Sequence, residues 1–291
     1  PEIARATAVY YLGSIQSQKT ADALIKALSD SKPLVRYHTV RALANFPPDV
    51  WLQRAYYNLS DQVRAVRIAA ADLYHQVPSE VIPAAARNAY AAADAENRKY
   101  LQYQTDFAVG NVMLAEYHLQ GEDYVNAIKL YLRGLKKDSL MNYARLNLSA
   151  AYNSIGKNPE ALRVLNEAAT IDPQNDRVFY SRGLLQYEMN NVAAAIKNFQ
   201  KAVSLGSQNT GVYYNYGLLL QQQGKLNEAE QILRKGFAIQ PRAANINYAL
   251  AYLYITQNKI QQARIHADVL SEVDPNNPEY KQLFLSLGYK F

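Results

Sequence analysis

Small and apolar residues recur along the second half of the chain at a fixed step of 34. Ala127, Ala161, Ala195, Ala229 and Ala263 form one column, and Ala115, Ser149, Gly183, Gly217 and Ala251 form a second. A third column holds turn-compatible residues, Ser139, Pro173, Ser207, Pro241 and Pro275. A fourth, Tyr124, Asn158, Val192, Leu226 and Ile260, is largely apolar. A period of this length marks stacked supersecondary units. Two antiparallel helices approach closely only where side chains are small, which is the physical sense of the first two columns. Tyr131, Leu165, Phe199 and Leu233 are then expected to fill the space between neighbouring repeats. Gly156 and Gly224 fall where one helix must end and turn. The prolines fall at the break before the next repeat, where a missing N–H costs little.

The first third of the chain follows a different step. Leu28, Ser29 and Asp30 return 31 residues later as Leu59, Ser60 and Asp61, and Arg5, Arg36 and Arg67 share the same spacing. Each arginine opens a helix-like run extended by Leu12, Leu43 and Tyr74. An aspartate accepts the unpaired N–H groups at a helix start, and an arginine on the next helix is expected to reach back and hold its carboxylate. On this reading Arg5 lies in a second helix whose partner precedes Pro1, so the array opens mid-repeat and further sequence is expected upstream. Pro83 to about Thr105, with no glycine or proline after Pro83, reads as one long helical joint between the two arrays.

The 34-residue pattern resembles the tetratricopeptide repeat family, with small residues at the eighth and twentieth positions of each repeat and a proline near the thirty-second. The resemblance implies repeats at 108–141, 142–175, 176–209, 210–243 and 244–277, closed by a solvating helix from Pro278 to Leu287. It departs at Arg182, where the family prefers leucine, and at Ser139, which replaces the proline. The 31-residue pattern resembles HEAT-type repeats. The expected fold is all-α, a right-handed α-solenoid organised as HEAT-like repeats over 1–82, the joint over 83–107, five tetratricopeptide repeats over 108–277, and a capping helix and tail over 278–291. The two arrays are expected to run on as one curved helical body.

Composition narrows what such a body does. Cysteine is absent, which excludes disulfides, thiolate metal sites and covalent haem attachment within this chain. The net charge of +6 is spread, with 12 Lys/Arg against 9 Asp/Glu over residues 1–105 and 19 against 16 over 106–291. Nucleic acid or an anionic membrane calls for a concentrated basic stripe, so neither is expected as a partner. No apolar run reaches the length of a transmembrane helix.

Catalytic chemistry is not legible. His38, His75, His118 and His266 stand in no metal-ligand spacing. His118 reads as a packing residue, and the other three as surface or groove histidines. No phosphate loop or nucleophile elbow occurs, and Glu228 with Glu230 reads as a solvated helix face. The chain is expected to be no enzyme, and no cofactor or metal is expected within it.

Tyrosine is abundant, 24 against 7 Phe, and part of it follows the repeat. Tyr180, Tyr214 and Tyr248 hold the fifth position of successive first helices, which faces the inner curve in the family the repeats resemble. With Tyr143, Asn147, Tyr187, Asn215, Gln221 and Tyr252 they make a candidate surface of flat rings and hydrogen-bonding tips. Such a surface suits an extended peptide or a sugar. Tyrosine is equally a filler where helices meet, and both readings stand at this point. The Lys and Asn pattern of a carboxylate clamp is missing, because the ninth position holds Ala150, Leu184, Leu218 and Tyr252.

The order of the arrays carries a second resemblance. Ile3-Ala4-Arg5-Ala6-Thr7-Ala8, then Ser60-Asp61 to Val66-Arg67-Ile68, then the 34-residue array look like the C-terminal part of bacterial extracytoplasmic multihaem c-type cytochromes. The resemblance implies a periplasmic or extracellular setting, and a haem-bearing segment upstream of Pro1. Three functions are open: a non-catalytic scaffold that binds a protein or extended peptide on its concave face, the scaffold arm of an electron carrier, and a subunit that assembles with copies of itself.

Overall fold

A computed structural model describes residues 1–275 and 277–289, and every regular element among them is helical. The chain divides into two compact units, Pro1–Ala144 and Arg145–Phe291.

The first unit holds α1 (Glu2–Leu12), α2 (Gln18–Ala27), α3 (Pro33–Leu43), α4 (Pro48–Trp51), α5 (Arg64–Tyr74), α6 (Arg87–Tyr103), α7 (Ala108–Gln120) and α8 (Tyr124–Lys137). Ser17 caps α2, its hydroxyl accepting the Thr20 N–H at 3.2 Å. Pro47 and Pro48 open α4, where their fixed φ suits a helix start, but this helix stops after four residues. A 3₁₀ turn over Ala55–Ser60 completes that layer. Between the layers lies a core with Leu24, Val40, Leu43, Trp51, Val66 and Tyr74 almost fully buried. The Trp51 indole N–H donates to the Phe46 carbonyl at 3.0 Å, so the ring is buried with its polar edge satisfied. The expected joint is α6, flanked by 3₁₀ turns over Ala84–Ala86 and Gln104–Asp106.

The 31-residue arginines form a ladder, but they run opposite to expectation. Arg5 donates two hydrogen bonds to the Asp30 carboxylate at 2.9 and 3.0 Å, and Arg36 donates two to Asp61 at 2.6 and 2.8 Å. Each guanidinium therefore reaches forward to the next repeat's aspartate. What Arg36 returns to its own repeat is a bond to the Asp30 backbone carbonyl at 2.8 Å. Arg67 repeats the arrangement, donating to the Asp61 carbonyl at 2.7 Å and to Glu96 of α6 at 2.9 Å. The aspartates are not N-caps either. Asp30 accepts the Lys32 N–H and Asp61 the Val63 N–H, each at 2.9 Å, so each carboxylate shapes the turn from two residues before its helix cap. The hydrogen bonds from Arg5 and Lys32 hold the Asp30 carboxyl below the usual carboxylate range.

The second unit completes α9 (Asn142–Ser154) and continues through α10 (Asn158–Ile171), α11 (Asp176–Glu188), α12 (Val192–Ser204), α13 (Thr210–Gln222), α14 (Leu226–Ile239), α15 (Ala244–Thr256), α16 (Ile260–Val273) and α17 (Lys281–Ser286). The first helices start at 108, 142, 176, 210 and 244, and the second at 124, 158, 192, 226 and 260. The turn inside each hairpin repeats as strictly. Glu122, Gly156, Asn190, Gly224 and Asn258 all adopt positive φ, from 57° to 72°. After each, the N–H of Asp123, Lys157, Asn191, Lys225 or Lys259 bonds the carbonyl five residues earlier, the closure of a Schellman motif. Glycine or asparagine at four of the five sites meets this demand. Glu122 holds the same left-handed geometry at a cost of about 1 kcal/mol.

The small columns sit where two helices touch. Ala127, Ala161, Ala195, Ala229 and Ala263 are wholly buried. A Cβ on Gly183 would stand 2.4 Å from the Phe199 ring, and one on Gly217 would stand 2.6 Å from Leu233. The large residues Phe199 and Leu233 pack over the glycine of their own hairpin, inside a buried cluster that runs across successive repeats. At the C-terminal end Tyr280, Leu283, Phe284 and Leu287 are buried against the last hairpin, and Arg264 donates to the Leu287 carbonyl at 2.8 Å. The end of the expected tail, residues 290–291, lies outside the described residues.

Candidate partner-binding groove

The sequence pattern places nine residues on one face, and the structure puts them at two depths. Tyr180 is half-buried. Its hydroxyl accepts a bond from Asn215 Nδ2 at 3.2 Å, and it lies so close over Gly211 that a Cβ there would meet it at 2.7 Å. Asn215 Nδ2 also donates to the Gly211 carbonyl at 2.8 Å. Tyr214 and Tyr248 are half-buried against the core of the second unit, and Tyr248 lies 5.6 Å from the Tyr280 ring. Burial pushes the Tyr180 and Tyr214 hydroxyls above their ordinary value. At Tyr180 the fifth-position ring therefore lies in the seam with the following first helix, its hydroxyl packed over Gly211. Asn147 is half-buried as well.

Three of the remaining four are open, and Gln221 is half-buried. Tyr187 and Tyr252 are 44% and 52% exposed, and Tyr143 is 47% exposed with its hydroxyl 3.5 Å from Met141 Sδ. Tyr252 and Gln221 share a groove of about 440 Å³ with Leu218, Gln222, Leu226 and Thr256. These side chains come from α13, α15 and the start of α14, at positions a helix turn apart, so the groove is fixed by regular helices and not by loops. The groove is lined by apolar side chains, one phenol and two glutamines, and the buried Gln221 Nε2 has no hydrogen-bond partner among the described residues. A surface of this kind binds by shape and by amide hydrogen bonds, with no charge to set an electrostatic preference.

The histidines have structural partners. His75 Nε2 lies 2.8 Å from the Tyr117 carbonyl, which can only accept, so this nitrogen carries the proton and Nδ1 accepts from the Tyr90 hydroxyl at 3.2 Å. His118 Nδ1 sits 2.9 Å from Asp123, whose carboxylate caps α8. His266 is no groove histidine. It is buried between Phe237 and Tyr254, and its Nδ1 meets Asn247 Oδ1 at 2.8 Å. Asn247 spends its Nδ2 on the Pro241 and Ala243 carbonyls, which leaves Oδ1 as the acceptor and makes His266 the donor. Burial, with a smaller push from Arg234, lowers the His266 pKa to about 4. Glu230, read from sequence as solvated, accepts bonds from the Tyr254 hydroxyl at 2.9 Å and Lys259 at 3.3 Å. Among the described residues no cluster of three or more His, Asp or Glu side chains could hold a metal ion, and no helix is long and apolar enough to cross a membrane.

Comparison with known proteins agrees with this architecture. Residues 1–75 match the HEAT repeat family. Residues 149–190 match a tetratricopeptide repeat family, and 186–244 and 220–284 match another family of that repeat. A TPR repeat-containing protein of Methanocaldococcus jannaschii, MJ1428, is 32% identical over 83 residues, which is 28% of this chain and only 15% of that protein's length. Among solved structures, pilF from Pseudomonas aeruginosa superposes with a TM-score of 0.56 at 19% identity, over 65% of this chain and 84% of its own. A MamA crystal structure gives a TM-score of 0.50 at 21% identity, over 61% of this chain and 96% of its own. At such identities the likeness is one of fold. The chain is thus all-helical, with a segment similar to HEAT repeats ahead of segments similar to tetratricopeptide repeats.

Proposed function

We propose that this protein is a non-catalytic scaffold that holds an extended peptide of a partner protein along the first-helix face of its second unit. The observation that carries this is the groove between α13 and α15, where exposed Tyr252 stands beside an apolar lining and the half-buried Gln221 keeps a buried amide nitrogen without a partner among the described residues. An extended peptide offers what such a groove lacks: backbone donors and acceptors at regular spacing, and side chains for the floor. The half-buried Tyr180, Tyr214 and Tyr248 brace the face, and Tyr187 extends it.

The test separates bracing from binding. Peptides selected from a random displayed library on the whole chain are expected to lose about tenfold or more in affinity to Tyr252→Ala and Gln221→Ala, a difference of roughly 1.4 kcal/mol or more. Tyr252→Ala is not expected to move the melting temperature. Tyr214→Ala should instead cost about 2 kcal/mol of stability, as truncation of a half-buried aromatic does. Selected peptides that bind Tyr252→Ala and Gln221→Ala as tightly as the parent would overturn the groove as the binding surface.

A second reading rests on the order of the arrays, HEAT repeats before tetratricopeptide repeats. It makes this chain the scaffold arm of an extracytoplasmic multihaem electron carrier, the haems lying in a segment upstream. A haem Soret band in the full-length protein from its native source is the expected result, and its absence would remove this reading while leaving the scaffold intact.

A further inference from the structure

The first unit contains a pocket of about 290 Å³ that has no part in the groove just described. Its walls come from four helices: Tyr37 and Arg41 of α3, Ile68, Ala69 and Asp72 of α5, Asn97, Tyr100 and Leu101 of α6, and Met113 of α7, with Ala65 at the rim. The floor and sides are apolar or aromatic. The two charged groups, Arg41 and Asp72, are bonded to each other at 2.8 Å, so the pocket presents no net charge.

Asn97 is the exception in this lining. It is only 2% exposed, yet its Nδ2 has no hydrogen-bond partner among the described residues. A buried amide without a partner costs stability that an apolar side chain of similar size would not, and nearly all such groups in folded proteins are satisfied. Leucine would fit the surroundings of Asn97 better than asparagine does. The carboxamide offers both a donor and an acceptor, the complement of a peptide group.

We propose that this pocket takes one large uncharged side chain of an extended peptide, with Asn97 hydrogen-bonding the backbone amide beside it. The volume is at the small end of ligand pockets, which run to about 300–1,000 Å³, and suits a single anchoring residue better than a cofactor. The internally paired Arg41 and Asp72 leave no charge to attract a lysine or a carboxylate. Tyr37 and Tyr100, both half-buried, supply flat walls for a phenylalanine or leucine side chain. The site does not rest on the peptide groove of the second unit, and either stands if the other fails.

The whole chain has three methionines, and only Met113 lines this pocket. Protein labelled with ¹³C at its methionine methyl groups can therefore be titrated with N-acetyl-phenylalanine methylamide, and with toluene for comparison. The Met113 resonance is expected to move saturably with the amide while Met189 stays in place. Ala65→Trp, at the exposed rim, should abolish the shift. Asn97→Leu should weaken the amide probe about tenfold, leave toluene within about twofold, and raise the melting temperature by a few degrees. A Met113 signal that does not move, or that moves equally in Ala65→Trp, would overturn the pocket as a site. An Asn97→Leu variant that binds the amide as well as the parent would overturn the peptide assignment and leave an apolar cavity.

Discussion

Gly110→Ala is expected to destabilise the first unit by about 3 to 5 kcal/mol, the range reached when a substitution forces backbone apart. The reason is local and geometric. Gly110 lies in the first turn of α7, directly against the 3₁₀ turn that ends the preceding stretch, and a Cβ there would stand 1.8 Å from the Gln104 carbonyl oxygen and 2.2 Å from its carbon. A flexible side chain could swing away, but a peptide group cannot move without dragging α6 or α7. The same turn is tied down by Asn111, whose Nδ2 donates to the Thr105 carbonyl at 2.5 Å and to the Phe107 carbonyl at 2.8 Å. Chemical denaturation followed by far-ultraviolet circular dichroism measures the loss. A shift of the midpoint equivalent to less than about 1 kcal/mol, the usual cost of an unremarkable substitution, would show that α6 and α7 are free to part.

The second large effect is on acid stability. His266 has a folded pKa of about 4, against an ordinary value of 6.5. Between these values the unfolded chain binds a proton that the folded chain does not, so stability falls as the pH drops from 6.5 towards 4. The shift spans about 2.5 pH units, and at about 1.36 kcal/mol per unit the loss approaches 3 kcal/mol. Above pH 6.5 the contribution is constant. The Arg-bound aspartates lie in a separate window, because a carboxyl such as Asp30 with a lowered pKa gives up its stabilisation only below about 3.8. His266→Gln provides the control: glutamine can still donate to Asn247 Oδ1 but does not titrate. The difference in unfolding free energy between the two proteins should shrink by about 3 kcal/mol from pH 7.5 to pH 4, or reverse in sign. Parallel pH profiles would show that His266 is protonated in the folded protein.

Much of the helical architecture was legible because close helix packing imposes a residue size at fixed intervals. Ala195 and Gly183 are small for the same reason that they are buried, and a column of such residues can be seen without any coordinates. Gly156 and Gly224 marked two of the hairpin turns. Asn190, Asn258 and Glu122 hold the identical left-handed conformation but hid it, since neither asparagine nor glutamate announces that geometry as glycine does. The arginine ladder was legible as residues but not as partners. A spacing of 31 is compatible with pairing backward or forward, and only the stacking of one repeat on the next selects Asp61 for Arg36.

Depth was the least legible quantity at the candidate site. The 34-residue step placed Tyr180, Tyr214 and Tyr248 on a common face, yet how far each ring sinks depends on what the following repeat leaves open. At Tyr180 that is the missing side chain of Gly211. Gly110 stood in no column, because its constraint comes from a single turn that occurs once. Asn97 gave no signal either, since an asparagine in a helix is ordinary until its surroundings prove apolar.

The uniform hairpin turn has a consequence for how such a chain can change over generations. The left-handed residue, the bond that closes it, the small columns and both helix starts all keep one phase between 108 and 273. A duplication or deletion of 34 codons beginning anywhere in that stretch therefore rejoins the chain in the same phase, leaving every surviving turn and contact column in register. A gain or loss that is not a multiple of 34 puts the columns on its two sides out of phase. Array length is thus the dimension along which this sequence can vary most freely, and the number of grooves between first helices can change by whole steps without the redesign of any one hairpin.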